Sequence, residues 1–140
     1  MRTPISIPFV ALVMLGCEAP KAGPLLFVRM DSTAYTRDST GIARANFTVT
    51  NQGSAAAVYQ GCPKPPFAVD SGAPGTWREY GINGCQGVVL LLWHALQPGE
   101  SYRDTFAWDS PATYRIRVSY GPDESHPYAS QAVGAGFTFR

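Results

Sequence analysis

Gly41-Ile42-Ala43-Arg44-Ala45-Asn46-Phe47-Thr48-Val49-Thr50-Asn51 reads as a strand with one dry and one wet face. Ala43, Ala45, Phe47 and Val49 share one parity, and Arg44, Asn46, Thr48 and Thr50 share the other. Successive side chains of an extended chain point to opposite faces, so this period of two describes a half-buried strand. Asn51-Gln52-Gly53 follows as a turn, and Ala55-Ala56-Ala57-Val58-Tyr59 returns as the next strand.

The same alternation recurs in Tyr114-Arg115-Ile116-Arg117-Val118-Ser119-Tyr120, with tyrosines and aliphatics inward and arginines outward, and in Tyr102-Arg103-Asp104-Thr105-Phe106-Ala107-Trp108. Weaker strand signals cover residues 25–30, 67–70, 76–80 and 135–139. Residues 88–93 form a continuous apolar run, which periodicity alone does not separate from a helical turn. It reads as a strand because it is short, contains Val88-Val89 and lies between Gly87 and the turn Gln97-Pro98-Gly99-Glu100. The 14 glycines and 12 prolines among 140 residues punctuate the chain too densely for long helices. The expectation is an all-β fold, an immunoglobulin-like Greek-key β-sandwich of seven or eight strands, with a barrel as the other closure.

The N-terminus reads as an address. Arg2 precedes an apolar stretch from Ile5 to Leu15 that ends at Gly16-Cys17. This length suits a signal peptide and is too short to span a bilayer. Gly16-Cys17 resembles a bacterial lipoprotein lipobox, in which the cysteine thiol receives a diacylglyceryl group and cleavage frees its amine for a further acyl chain. Met14 and Leu15 stand where that pattern usually has Leu and a small residue. Plain secretion and an uncleaved anchor are the alternatives. The division expected is a signal peptide over 1–16, a lipidated tether over 17–24 around Pro20, Gly23 and Pro24, and one β-sandwich domain over 25–140. The location is the bacterial cell envelope, and the first partner is the membrane, through lipid on Cys17.

With Cys17 assigned to lipid, Cys62 and Cys85 remain as an even pair in an oxidising compartment, and each sits beside turn residues. They are expected to form a structural disulfide. A redox thiol or a metal ligand is the alternative, although neither a CxxC nor a histidine at ligand spacing accompanies them.

The search for reaction chemistry finds little. His94 and His126 are the two histidines. His94 reads as a rim residue, and His126, with Asp123 and Glu124, as part of a solvated hairpin loop with too few ligands for a metal. No nucleophile elbow, zinc-protease helix or phosphate loop is present. The expectation is no enzyme and no cofactor. The formal charge is +1, and removal of Arg2 with the signal leaves ten basic against ten acidic residues, which offers no electrostatic footprint for nucleic acid. Arg44, Arg103, Arg115 and Arg117 read as solvated outward positions. Asn46-Phe47-Thr48 is a sequon by chance. Trp77, Trp93 and Trp108 are candidates for stacking on sugar rings, with core packing the simpler duty for Trp108.

Cys62-Pro63-Lys64-Pro65-Pro66 is the most individual segment. Its prolines pre-set an extended backbone that a partner reads at low entropic cost, so Lys64, Pro65 and Pro66 are the candidate partner-binding residues. A stiff connector beside a disulfide is the structural alternative.

The order Val49-Thr50-Asn51, Trp77-Arg78, Leu96-Gln97-Pro98-Gly99-Glu100-Ser101, Phe106-Ala107-Trp108 and Ala112-Thr113-Tyr114-Arg115 resembles the bacterial intracellular proteinase inhibitor (BsuPI-like) family. Ala112 stands where that family has Gly. The resemblance implies an immunoglobulin-like sandwich and, as activity, inhibition of a protease, here an extracytoplasmic one. The residues themselves point to a non-catalytic envelope domain that binds a protein.

Overall fold

The computed structural model describes residues 23–61, 64–84 and 92–140. Eleven strands form within them: β1 (Leu26–Met30), β2 (Ala34–Tyr35), β3 (Ala43–Asn51), β4 (Ala57–Gly61), β5 (Phe67–Ser71), β6 (Arg78–Asn83), β7 (Leu92–Leu96), β8 (Ser101–Trp108), β9 (Thr113–Tyr120), β10 (Ser130–Val133) and β11 (Phe137–Phe139). The smaller sheet is ordered β1-β3-β8 and the larger β2-β11-β9-β5-β6, with β10 also paired to β9. β4 and β7 make a separate two-stranded ribbon. The N-terminal strand changes sheet between Met30 and Ala34: β1 runs antiparallel to β3, and β2 runs parallel to β11.

The expected all-β sandwich is the observed fold; of the period-two segments, β3 and β9 are central strands and β8 is an edge strand of the smaller sheet. The signal at residues 76–80 marks a strand that runs further on, at Arg78–Asn83, and among the described residues the apolar run continues as the strand Leu92–Leu96. Residues 88–91 of that apolar run lie outside the described residues, as do the signal segment, Cys17, Cys62 and Cys85. The count exceeds seven or eight because three short pieces, β2, β10 and β11, stand as separate strands. β10 and β11 follow one another along the same edge of β9, divided where Gly134 N donates to Ile116 O.

Inner faces of the two sheets make the core. Ala43, Ala45, Phe47, Val49, Tyr114, Ile116 and Val118 are essentially inaccessible. Phe47 meets Phe67 edge-on across the sandwich at 4.9 Å, and Phe106 packs among Tyr114, Phe137 and Phe139. Tyr114, second residue of β9, donates its hydroxyl to Ser110 O at 3.1 Å. This is the tyrosine corner of immunoglobulin-like folds, with Ile116 at the position two residues on.

Two motifs acquire physical reasons here. In Gln97-Pro98-Gly99-Glu100, Glu100 N bonds Gln97 O at 3.0 Å and Gly99 has φ +81°. Proline at the second position and a left-handed glycine at the third make a type II turn. Val49-Thr50-Asn51 ends in a fully buried amide. Asn51 Nδ2 donates to Ala55 O and Leu96 O, both at 2.8 Å, while Oδ1 accepts from Gly53 N at 2.9 Å and Leu25 N at 3.3 Å. One side chain thus joins the start of β1, the β3–β4 turn and the end of β7.

Tyr102 carries the one buried side-chain polar atom without a hydrogen-bond partner among the described residues. Burial, then the Asp104 carboxylate, pushes its ionisation above the ordinary 10.0. Tyr102→Phe is therefore expected to raise stability by up to about 1 kcal/mol, read as the urea midpoint. The sign with pH follows from linkage. A proton held more tightly in the folded state contributes stability below the unfolded pKa, and that stability is lost as pH rises towards the folded one. The advantage of the variant should widen above pH 10.

Candidate functional site

The outer face of the larger sheet holds the densest side-chain network. Asp70 of β5 is only 2% exposed and sits opposite Arg115 of β9. Arg115 Nε donates to Asp70 Oδ2 at 2.7 Å, and Arg117 Nε donates to Oδ1 and Oδ2 at 2.8 and 2.9 Å. Arg117 Nη2 continues to Glu79 Oε2 of β6 at 2.7 Å. Burial works against the charge on Arg117, but the hydrogen bonds from Asp70 and Glu79 outweigh it and its pKa rises. Trp77 lies beneath the Arg115 guanidinium, 4.8 Å from its ring centre, and against Gly136. Burying a carboxylate without partners is costly, so the two arginines paired with it are the reason Asp70 is tolerated there.

A β-bulge positions this network. The register runs Val69↔Gly81 and then Asp70↔Glu79, so Tyr80 is the extra residue on β6. Insertion of one residue re-aims the side chains around it. Ile82 and Glu79 stay on the face of Ala68 and Asp70, and Tyr80 turns to meet Tyr114 and Trp108 at 5.7 and 5.5 Å.

Beside the network lies a groove of about 350 Å³ whose lining includes the small side chains of Ala68 and Ser119. Pro66, Ile82 and Tyr128 are among its apolar lining residues, and Arg117, Glu79, Gln60 and Gln131 among its polar ones. Ile82 is 68% exposed and Tyr128 61%, unusual for residues of that size.

The expected site residues divide. Pro66 lines the groove, Pro65 is fully buried, and Lys64 turns to Asp104 of β8 with Nζ 3.8 Å from Oδ1. Cys17, Cys62 and Cys85 lie outside the described residues. Ile82, Tyr128 and Asp70 were not legible as site residues. The one local signal is that Ile82 and Tyr128 are isolated apolar residues in polar surroundings, which says nothing about what lies beside them.

His94 stacks on Tyr59 and its Nε2 lies 3.1 Å from Gly61 O, a rim position. His126 is exposed, with Nδ1 3.0 Å from Asp123 Oδ1. That hydrogen bond and the backbone N–H groups of Ser125 and His126 hold the Asp123 carboxyl below its ordinary pKa. Among the described residues no three His, Cys, Asp or Glu side chains gather as a metal site. The arginines face outward as expected but form no stripe: Arg44 and Arg103 are on the smaller sheet, and Arg115 and Arg117 are neutralised on the larger. The tryptophans are dispersed as well. Trp108 is 39% exposed and lines a cleft of about 450 Å³ with Tyr80 and Phe106, at the edge of the core instead of within it.

Strand order, the sheet-switching N-terminal strand and the tyrosine corner define an immunoglobulin-like β-sandwich domain. Its outer face carries a paired charge network and an apolar groove. No protein-family model and no curated protein matches the sequence. Among solved structures, the chain is similar to a Bordetella pertussis protein described as ApaA, with 20% identity and a TM-score of 0.52 over 85% of this chain and 95% of that one. It is also similar to the CARDB domain of a Pyrococcus furiosus protein in complex with di-metal ions, with 17% identity and a TM-score of 0.43 over 84% and 90% of the two chains. A β-glucosidase from Listeria innocua aligns at 13% identity and a TM-score of 0.40 over 83% of this chain and 16% of that one. What the ApaA protein shares with this chain is the sandwich itself.

Proposed function

We propose that this chain is a non-catalytic domain of the bacterial cell envelope, anchored by lipid on Cys17, that holds a protein partner on the outer face of its larger sheet. The observation that carries the reading is the pair Ile82 and Tyr128, largely exposed across a groove whose strands are locked together by Asp70, Arg115, Arg117 and Glu79. A partner side chain entering this groove would meet apolar and polar lining residues on a backbone that needs no reordering, which lowers the entropic cost of binding.

A photoreactive amino acid at Ile82 or Tyr128, expressed in the producing cell, should yield one discrete protein adduct, and the same probe at Thr40 should yield none. Equal labelling at all three positions, or none at Ile82 and Tyr128, would remove the groove as the binding surface.

The second reading is inhibition of an extracytoplasmic protease by Lys64-Pro65-Pro66. It is favoured by the anchoring of that segment: Pro65 is buried while the Lys64 side chain stays 58% exposed. Stoichiometric inhibition of a serine protease or metalloprotease by the purified protein, weakened by Lys64→Ala, would put this reading first.

A further inference from the structure

The smaller sheet presents a second surface, opposite the groove. On its outer face Thr48 of β3 is flanked by Arg29 of β1 and Arg103 of β8, which stand in one register row. Both arginines are exposed, and neither has a hydrogen-bond or ion-pair partner among the described residues. Two acids line the same surface cleft as Arg29 and Arg103: Asp31 is turned to Asn46 Nδ2 at 3.2 Å and to the Tyr35 hydroxyl, and Asp104 accepts from Thr105 N and lies 3.8 Å from Lys64 Nζ. The next row towards the end of the sheet is Phe27, Thr50 and Ser101, where Phe27 is 49% exposed. Beyond Phe27 the chain is pinned: Gln52 N donates to Leu25 O at 2.7 Å, Ser54 N to Gly23 O at 3.0 Å and Gly23 N to Ser54 Oγ at 3.3 Å. Gly53 leaves no room for a Cβ here, since one would lie 2.3 Å from Gly23 O.

Chain length then limits where this face sits. Five residues lie between Cys17 and Gly23, and the six Cα-to-Cα steps, at no more than about 3.5 Å each, reach roughly 20 Å. We infer that the outer face of the smaller sheet rests on the membrane that holds the lipid, with Arg29 and Arg103 on anionic phosphate headgroups and Phe27 dipping into the interface. This rests on lipidation of Cys17 for the tether, but the affinity of the face is a property of these three side chains. An exposed aromatic beside unpaired cations is the usual composition of an interfacial contact, and each basic residue near an anionic surface contributes about 1 kcal/mol, or fivefold in partition. The partner groove on the other sheet then faces away from the bilayer.

The experiment separates face from anchor. The mature chain from residue 17 with Cys17→Ser is sedimented with vesicles of phosphatidylglycerol and phosphatidylethanolamine, and with vesicles of phosphatidylcholine alone. Weak, salt-sensitive binding is expected on the anionic vesicles, with a fall of about tenfold or more in Arg29→Glu/Arg103→Glu. The milder Arg29→Gln/Arg103→Gln, checked by circular dichroism, excludes misfolding as the cause. In the acylated chain on the same vesicles, a photoreactive phenylalanine at Phe27 should label lipid and one at Ile82 should not. Equal binding to both vesicle types, no effect of either arginine pair, or equal labelling from Phe27 and Ile82 would overturn the inference. So would binding of the arginine face to an acidic polypeptide but not to vesicles. Intact mass at Cys17 reports on the anchor separately.

Discussion

Replacing Asn51 by Ala is expected to destabilise the domain by about 4 kcal/mol, measured as the loss of unfolding free energy in urea. The amide is fully buried and satisfies four backbone groups from three separate segments. Alanine leaves the N–H groups of Leu25 and Gly53 and the carbonyls of Ala55 and Leu96 without it. Each such buried group costs roughly 1–3 kcal/mol, reduced where water enters the space left behind. Asn51→Asp keeps both accepted bonds but sets a carboxylate oxygen against two carbonyls, so it should cost nearly as much. The backbone of Asn51 is held independently, with its N–H on Glu100 O and its carbonyl accepting from Gly99 N, so strand β3 itself should persist. In a domain whose total stability is of order 5–15 kcal/mol, this is a loss most cells would register as low abundance. A measured change below about 1 kcal/mol would show that the amide is not what holds this end of the sandwich together.

The second large effect is expected at Cys17. Cys17→Ser removes the thiol proposed to accept lipid, and at about 0.8 kcal/mol per buried methylene the loss of two or more acyl chains would abolish stable membrane retention. Fractionated cells should show the variant in the soluble fraction or as an uncleaved precursor, with the parent protein in membranes. Parent protein that is soluble, with an unmodified Cys17, would refute the anchor. The same intact-mass measurement on the parent protein, with and without reductant, tests the pairing of Cys62 with Cys85. A bridge adds the mass of two hydrogens on reduction, and for a loop of this span it contributes about 3 kcal/mol. No change in mass would reopen the redox and metal readings for these two thiols.

The two cavities show how far the groove depends on assembly. Trp108 shares the parity of Phe106 and Tyr102, so alternation assigns it to the core. It sits at the last position of β8, the outer strand of its sheet, where the opposite sheet covers it only in part, through Tyr80. Period two gives the face of a side chain but not the cover over that face. Arg115 and Arg117 make the complementary point. Their parity places them outward, as observed, yet they are half-buried because Asp70 and Glu79 arrive from β5 and β6 to meet them.

Alternation within residues 43–51 and 114–120, with the density of Gly and Pro, is sufficient to assign the all-β sandwich and its two central strands, because burial of one face is a local property of an extended chain. The Pro98-Gly99 turn is legible for the same reason: its backbone angles are demanded by two adjacent residues. The groove is not local. Pro66, Ala68, Ile82, Ser119 and Tyr128 are drawn from four stretches of chain, and a one-residue bulge at Tyr80 decides that Ile82 joins them. Neither strand pairing nor a bulge is written in the periodicity of one segment, since each depends on which neighbour supplies the hydrogen bonds. The row of Arg29, Thr48 and Arg103 has the same origin: it becomes a surface only when β1 and β8 settle on either side of β3.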